Sequence, residues 1–350
     1  MGFFFSMQNK LLLYLILSII LLIALAIGAL FMGVYDFGGK SPIRVLQQII
    51  AHDPNINLSE KYVLWDVRMA RIVMAILVGS ILAVSGTAMQ GMFKNPLATP
   101  DLIGITAGAT LMAAITIVLG SFFRHLLPDY LQFSLLSIAA FVGALITTIL
   151  VYKMSTTQGK TNVIIMLLSG VAISALGFAC TGFLIYLSKE EQLRDLTFWN
   201  LGSLGGATWV KNGILLVVMI LSYSILITKG KALNAMMLGE KDAEHLGIPV
   251  EKIKKQIVVL VALMVGACVA FSGTIGFVGL IVPYILRLIF KSNYQIILPL
   301  SAVMGSILLL VADTFSRTVV APSEIPIGVL TAFLGAPVFI AILIRYKNSM

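Results

Sequence analysis

An all-α, polytopic membrane fold with about ten transmembrane helices, some of them short or broken, and both termini cytoplasmic is predicted by three observations. Of the 350 residues, 59% are hydrophobic and 11% charged, against roughly a quarter charged in an ordinary soluble domain, and the mean hydropathy is +1.03. The apolar residues gather in runs of the ~20 residues needed to cross a hydrocarbon core of ~30 Å. When these runs are threaded back and forth, the basic residues collect on one side.

Taken in order, the runs are residues 11–35, 72–93, 102–121, 133–152, 163–188, 212–228, 257–272, 278–290, 297–315 and 328–344. The first is longer than the apolar core of a signal peptide and reads as a retained helix. The MGFFFS before it fits a myristoylation pattern, but nothing else supports lipidation of a multispanning chain, and Met7 is an alternative start to Met1. The eighth is short, and SGTIGFVGLIVPYILRLIF carries Gly273, Gly276, Gly279 and Pro283, so it reads as a re-entrant or broken helix. Gly79, Ser80, Ser85, Gly86 and Thr87 on the second run, with Gly104, Gly108 and Ala109 on the third, allow helices to approach closely. SGT recurs at Ser85–Thr87 and Ser272–Thr274, a hint of related halves that three residues are too few to establish.

With the N-terminus inside, the inner loops take 14 of the 24 Lys and Arg and 5 of the 15 Asp and Glu. The outer loops keep equal numbers of each sign, so the entire net charge of +9 lies inside, the bias expected of cytoplasmic loops. The basic balance therefore reports orientation and not nucleic-acid binding.

Several chemistries are poorly supported. Cys180 and Cys268 lie in apolar runs, where a thiol packs as a small hydrophobe. His52, His125 and His245 are scattered over three loops, so neither a disulfide nor a metal site is expected. QGKT at Gln158–Thr161 has Met154 where a phosphate-binding loop needs glycine, and no nucleotide site of the chain's own is expected. No GxSxG serine and no paired acids or histidines stand within a span to suggest an intramembrane enzyme. An ion-coupled carrier acting alone needs ionisable groups within its spans. Asp313 is the exception here, four residues before Arg317, and the two can pair on one helix face. The energy for any transport is expected to come from elsewhere.

Two polar stretches stand out. In WDVRMAR, Arg68 and Arg71 lie three residues apart at the mouth of the second run, on one helix face. Snorkelling or pairing with Asp66 and Asp313 is one reading of them. The largest cytoplasmic loop, 229–255, contains ALNAMML and EKDAEHL, each closed by glycine at Gly239 and Gly247, as helix C-termini prefer. Leu233, Met236 and Met237 form one apolar stripe, and Ala243 and Leu246 another. The loop either lies solvated on the headgroups or offers short helices that a soluble partner grips in a groove.

At this point RMARIVMAILVGSILAVSGTAMQGMFKNPLATPDLIGITAGA resembles the signature of the iron-chelate and cobalamin (FecCD-type) family of ABC importer permeases. FWNLGSL at Phe198–Leu204, LGEKDAEHLGI at Leu238–Ile248, SGTIGFVGLIVPYILR at Ser272–Arg287 and EIPIGVLTAFLGAPVF at Glu324–Phe339 resemble further family motifs in family order. LRDLTFWNLGSLGGA, Leu193–Ala207, is most similar to the hemin-uptake branch.

The resemblance implies one permease domain over residues 1–350 in the bacterial cytoplasmic membrane, without an ATPase site of its own. Its implied partners are a second permease copy, two cytoplasmic ABC ATPases that bind the ATP, and an extracytoplasmic substrate-binding protein. It assigns ATPase coupling to Leu238, Gly239, Glu240, Ala243, Leu246 and Gly247 in the 229–255 loop. It puts the substrate path between the two copies, lined partly by the fifth run, with Thr161 and Asn162 as cytoplasmic gate candidates. Arg68, Arg71 and Arg317 match positions that meet glutamates of the binding protein. Guanidinium suits that task because it is always charged and can hold a carboxylate bidentately. Ala70 stands where the family's R-x-P-R pattern has proline, with both bases kept. The implied cargo is hemin, with a ferric siderophore or cobalamin as the alternative.

Overall fold

A computed structural model describes residues 2–123 and 134–347; His125 and the start of the run predicted at 133–152 lie outside the described residues. The chain begins with α1 (Gly2–Phe31), α2 (Pro42–Ile50) and α3 (Leu58–Phe93). Three packed helices follow, α4 (Ile105–Phe123), α5 (Leu135–Ser155) and α6 (Val163–Leu187). A two-residue hairpin, β1 (Thr156–Thr157) and β2 (Lys160–Thr161), joins α5 to α6. Next come α7 (Glu190–Leu201), α8 (Trp209–Ile227), α9 (Gly230–Leu238), α10 (Glu240–His245) and α11 (Val250–Ser272). The chain closes with α12 (Val278–Phe290), α13 (Tyr294–Thr318) and α14 (Ile327–Lys347). Seven of the described helices are long and apolar enough to cross a membrane, and shorter apolar helices cover 105–120, 278–290 and 327–341. Each predicted run therefore carries a helix.

The centre of the bundle is α3, 89% of whose apolar window is buried, against none of that of α1. It is surrounded by α13, α11, α12 and α8. Small residues make this possible. Gly79 meets the Gly305 carbonyl of α13, and Gly86 meets Gly279 at the start of α12. Thr87 Oγ1 shares a 2.6 Å hydrogen bond with Ser301 Oγ. Gly108 of α4 lies against Gly143 and Thr147 of α5 in the same way. Small side chains thus let backbones touch where lipid supplies no hydrophobic drive between helices.

Local chemistry explains the helix boundaries. Ser41 caps α2 with Pro42 at its first position, and Asn57, Asn162, Thr208 and Asn293 accept backbone N–H bonds at the starts of α3, α6, α8 and α13. Side-chain oxygens of these types satisfy otherwise orphaned donors. The broken eighth run is real: α11 stops at Ser272, residues 273–277 are non-helical and α12 resumes at Val278. Its 13 residues give about 20 Å of helix, short of the full core. The two SGT triplets differ, since the first lies inside α3 and the second straddles the end of α11, where Gly273 has φ +68°.

Three boundaries depart from expectation. The second helix begins at Leu58 and not at residue 72, passes through a π-helical stretch at Tyr62–Met69, and so contains Arg68 and Arg71 within its length. Polar capping by Asn57 and the Lys40–Glu60 ion pair at 2.9 Å sustain this extension where hydropathy could not reveal it. The stretch after α6 folds into α7, anchored by Gln192 Nε2 donating to the carbonyls of Ile117 and Val118 at 3.3 and 3.1 Å. The loop 229–255 ends early, because α11 starts at Val250 and takes in Glu251, Lys254 and Lys255.

Candidate functional site

The residues singled out by sequence fall into two clusters at opposite ends of α3. Arg71 and Phe93 are 22 helical positions apart, about 33 Å at 1.5 Å per residue.

At the first end three arginines converge. Arg71 Nε donates to Asp313 Oδ1 and Oδ2 of α13 at 2.9 and 3.2 Å, and Nη1 donates to Glu324 Oε1 at 2.7 Å. Arg317 Nε stands 3.7 Å from Asp313 Oδ2, while its terminal nitrogens donate to the carbonyls of Met32 and Ala29 at 2.8 and 2.7 Å. Arg68 donates to the carbonyls of Leu30 and Tyr35 at 2.8 and 3.0 Å and stacks 4.8 Å over the Phe37 ring. The last turn of α1 lacks intrahelical partners for its carbonyls and carries the negative end of the helix dipole. Two guanidiniums supply what it needs. Asp313 is fully buried and Arg68 and Arg71 nearly so, whereas the Glu324 side chain is 46% exposed.

The arginines therefore do not project freely. The pairing of Arg71 and Arg317 with Asp313 is the one foreseen from the sequence, whereas Arg68 turns to backbone carbonyls and an aromatic ring. Glu324 was missed as a partner of Arg71, although it opens the EIPIG motif; a separation of 253 residues hid the contact.

At the opposite end, Gly239 (φ +155°) separates α9 from α10, and Gly247 (φ +80°) turns the chain toward α11, so both glycines mark the junctions expected of them. The apolar stripe divides. Leu233, Met236 and Ala243 are buried in the chain's own core, leaving Leu238 and Leu246 exposed at 74% and 66%. The outward face of this end therefore carries two leucines and the partly exposed Glu240 carboxylate, while Ala243 supports it from behind.

Thr161 is buried on β2, and Asn162 Oδ1 caps α6 by accepting from Ile164 N and Ile165 N at 2.9 and 3.2 Å. Both border a cleft of about 620 Å³ shared with Lys94, Glu240 and Glu244. Coupling and gate candidates therefore meet. The link between them is Lys254, only 1% exposed, whose Nζ reaches Glu240 Oε2 at 2.7 Å, Glu251 Oε1 at 3.1 Å and the Thr161 carbonyl at 3.0 Å. Nothing in its basic neighbourhood, EKIKKQ, distinguishes it from Lys252 or Lys255.

Known proteins share the fold and much of the sequence. Residues 16–345 match the profile of the FecCD transport family. The hemin transport system permease HmuU of Yersinia pestis is 38% identical over 336 residues, covering 95% of each chain. The vitamin B12 import system permease BtuC of Vibrio vulnificus is 37% identical over 291 residues, covering 83% of this chain and 85% of that one. The solved structure of a metal-chelate type ABC transporter in an inward-facing conformation superposes with a TM-score of 0.80 at 31% identity, covering 95% of this chain and 98% of the other.

Proposed function

The chain belongs to the FecCD transport family, as a multi-pass permease subunit of an ABC importer for iron chelates or cobalamin, and on that premise we propose that its cargo is hemin, carried inward across the bacterial cytoplasmic membrane. The observation that favours hemin is coverage: similarity to the hemin permease extends over 95% of both chains, that to the vitamin B12 permease over 83% and 85%. Cobalamin or a ferric siderophore is the alternative, since the identities differ by one percentage point.

In this reading two copies of the chain enclose the path, with both termini and the 229–255 region cytoplasmic. Exposed apolar side chains on α6, among them Leu168, Val171, Leu176 and Phe183, suit a helix that faces a second copy. Two soluble ATPases bind and hydrolyse ATP and press on α9 and α10 through Leu238, Leu246 and Glu240. Gly239, Ala243 and Gly247 shape that surface. Thr161 and Asn162 stand at the gate.

An extracytoplasmic binding protein docks at the arginine end, where its carboxylates engage Arg71, Arg317 and Arg68. Glu324 already holds Arg71 in the geometry an incoming carboxylate would copy. Such pairs fix orientation and raise the association rate more than they add affinity.

The direct test is ATP-driven uptake into vesicles holding the permease and its ATPase, with binding protein loaded with hemin, a ferric siderophore or cobalamin in parallel. Hemin uptake is expected; transport of another chelate alone removes the hemin assignment and keeps the family. Arg-to-Glu replacements at these buried positions would also damage the fold, so Glu324→Gln is the cleaner probe of docking. By freeing Arg71 Nη1 it is expected to tighten capture of the binding protein several-fold at low salt. Unchanged capture would leave the arginines a purely structural role.

A further inference from the structure

We propose that Lys254 is the positioning residue that carries movement of α10 to the cytoplasmic gate, a link that rests on the reading of α10 as the element the ATPase presses. All three donors of its ammonium group are used, one each on Glu240, Glu251 and the Thr161 carbonyl. Glu251 closes the circuit, since its Oε2 accepts from Thr161 N at 2.8 Å. Both backbone polar groups of Thr161 are therefore held by side chains of α11, and one of those side chains also holds the first residue of α10.

Each further joint is stiff. Thr161 pairs with Thr156 in the hairpin, whose Gln158 and Gly159 both have positive φ, as a two-residue turn that keeps its strands in register requires. The next residue, Asn162, caps α6. A displacement of Thr161 thus shifts the first turn of α6. On the other side, α10 is tied to the entry of α11 by Ile248 N donating to the Ala243 carbonyl at 3.0 Å. Among the described residues no direct hydrogen bond joins α10 to the hairpin, and the one side chain that touches both is the buried ammonium of Lys254. Exclusion of water strengthens these bonds and makes losing any one of them costly.

The residue has a second mark of design beyond stability. A lysine kept only to neutralise Glu251, three residues earlier on the same helix, could remain at the surface, as i,i+3 pairs commonly do. Here the side chain is buried so that it bridges elements 14 and 93 residues away in sequence.

The test uses the complete permease–ATPase complex in vesicles with loaded binding protein, and reads cargo imported per ATP hydrolysed. Lys254→Met is expected to lower that ratio about tenfold, a size typical of coupling free energies. A merely structural lysine would lower uptake and hydrolysis together and leave the ratio unchanged, which overturns the proposal. Should Lys254→Met fail to assemble, Glu240→Gln carries the test, because it keeps Lys254 bonded to Glu251 and Thr161 while weakening the α10 arm; its ratio is expected to fall several-fold. In a double-mutant cycle the two changes should be non-additive, and full additivity counts against a shared route.

Leu246→Asp separates failure of this link from failure of its premise. If Leu246→Asp weakens ATPase association or drives uncoupled hydrolysis while Lys254→Met and Glu240→Gln keep the normal ratio, α10 is the contact and Lys254 is not the link. If Leu246→Asp changes neither, the premise falls and the proposal with it.

Discussion

Asp313→Ala is expected to destabilise the permease by about 3–5 kcal/mol, the usual result of deleting one member of a buried ion pair. Asp313 is fully buried, accepts both Arg71 Nε contacts and stands 3.7 Å from Arg317. Its removal strands positive charge between α3 and α13, the most intimate helix pair in the bundle, with Glu324 as the remaining partner of Arg71 on its exposed side. Thermal unfolding of the purified protein in detergent measures the loss. Adding Arg71→Met to Asp313→Ala should recover part of it, because an apolar replacement of the pair removes the desolvation cost along with the attraction. If the single change costs under about 1 kcal/mol, water reaches this site and the buried arrangement is wrong.

Gly86→Ala is expected to cost more than the ~1–3 kcal/mol of ordinary overpacking. A Cβ there would lie 2.6 Å from the Gly279 carbonyl carbon and 2.7 Å from its Cα. Both are backbone atoms at the start of a short helix, where no side chain can rotate away, so α12 must move off α3. Little monodisperse protein should survive extraction. Gly213→Ala in α8 is the matched control, since a Cβ there would meet nothing within 4 Å. It is expected to be neutral or stabilising by up to ~1 kcal/mol, as alanine is the better helix former. Equal behaviour of the two variants would refute the close crossing at Gly86.

These two predictions come from different layers of information. Gly86 was legible as a small residue on an apolar run, and close packing is what such residues permit in lipid. Its partner, Gly279, was not legible, because the two lie in runs separated by most of the chain. Asp313 was legible as an ionisable group inside a span, and Arg317 as its neighbour four residues on. Arg71 was legible as an alternative partner, but Glu324 was not.

The same contrast holds at the other end. Gly239 and Gly247 correctly marked the limits of two short helices, because helix termination is a local matter of backbone conformation. The stripe of Leu233, Met236, Met237, Ala243 and Leu246 could not say which members face the bundle and which face outward. Tertiary packing buried Leu233, Met236 and Ala243 and left Leu246 in the open, along with Leu238 outside the stripe.

By itself the sequence determined that this is a polytopic helical membrane protein, where its apolar runs lie, and that five motifs stand in the order of one permease family. Those features are written in contiguous residues, since a span needs ~20 apolar side chains in succession whatever surrounds it. Only the tertiary structure decided that the three arginines are turned inward onto Asp313, Glu324 and the end of α1, and that Lys254 joins α10 to the β1–β2 hairpin. A buried charge must find its counter-charge and hydrogen bonds wherever the fold brings them. Some of them come from residues 93 to 288 positions away, a distance at which local sequence carries no record of contact.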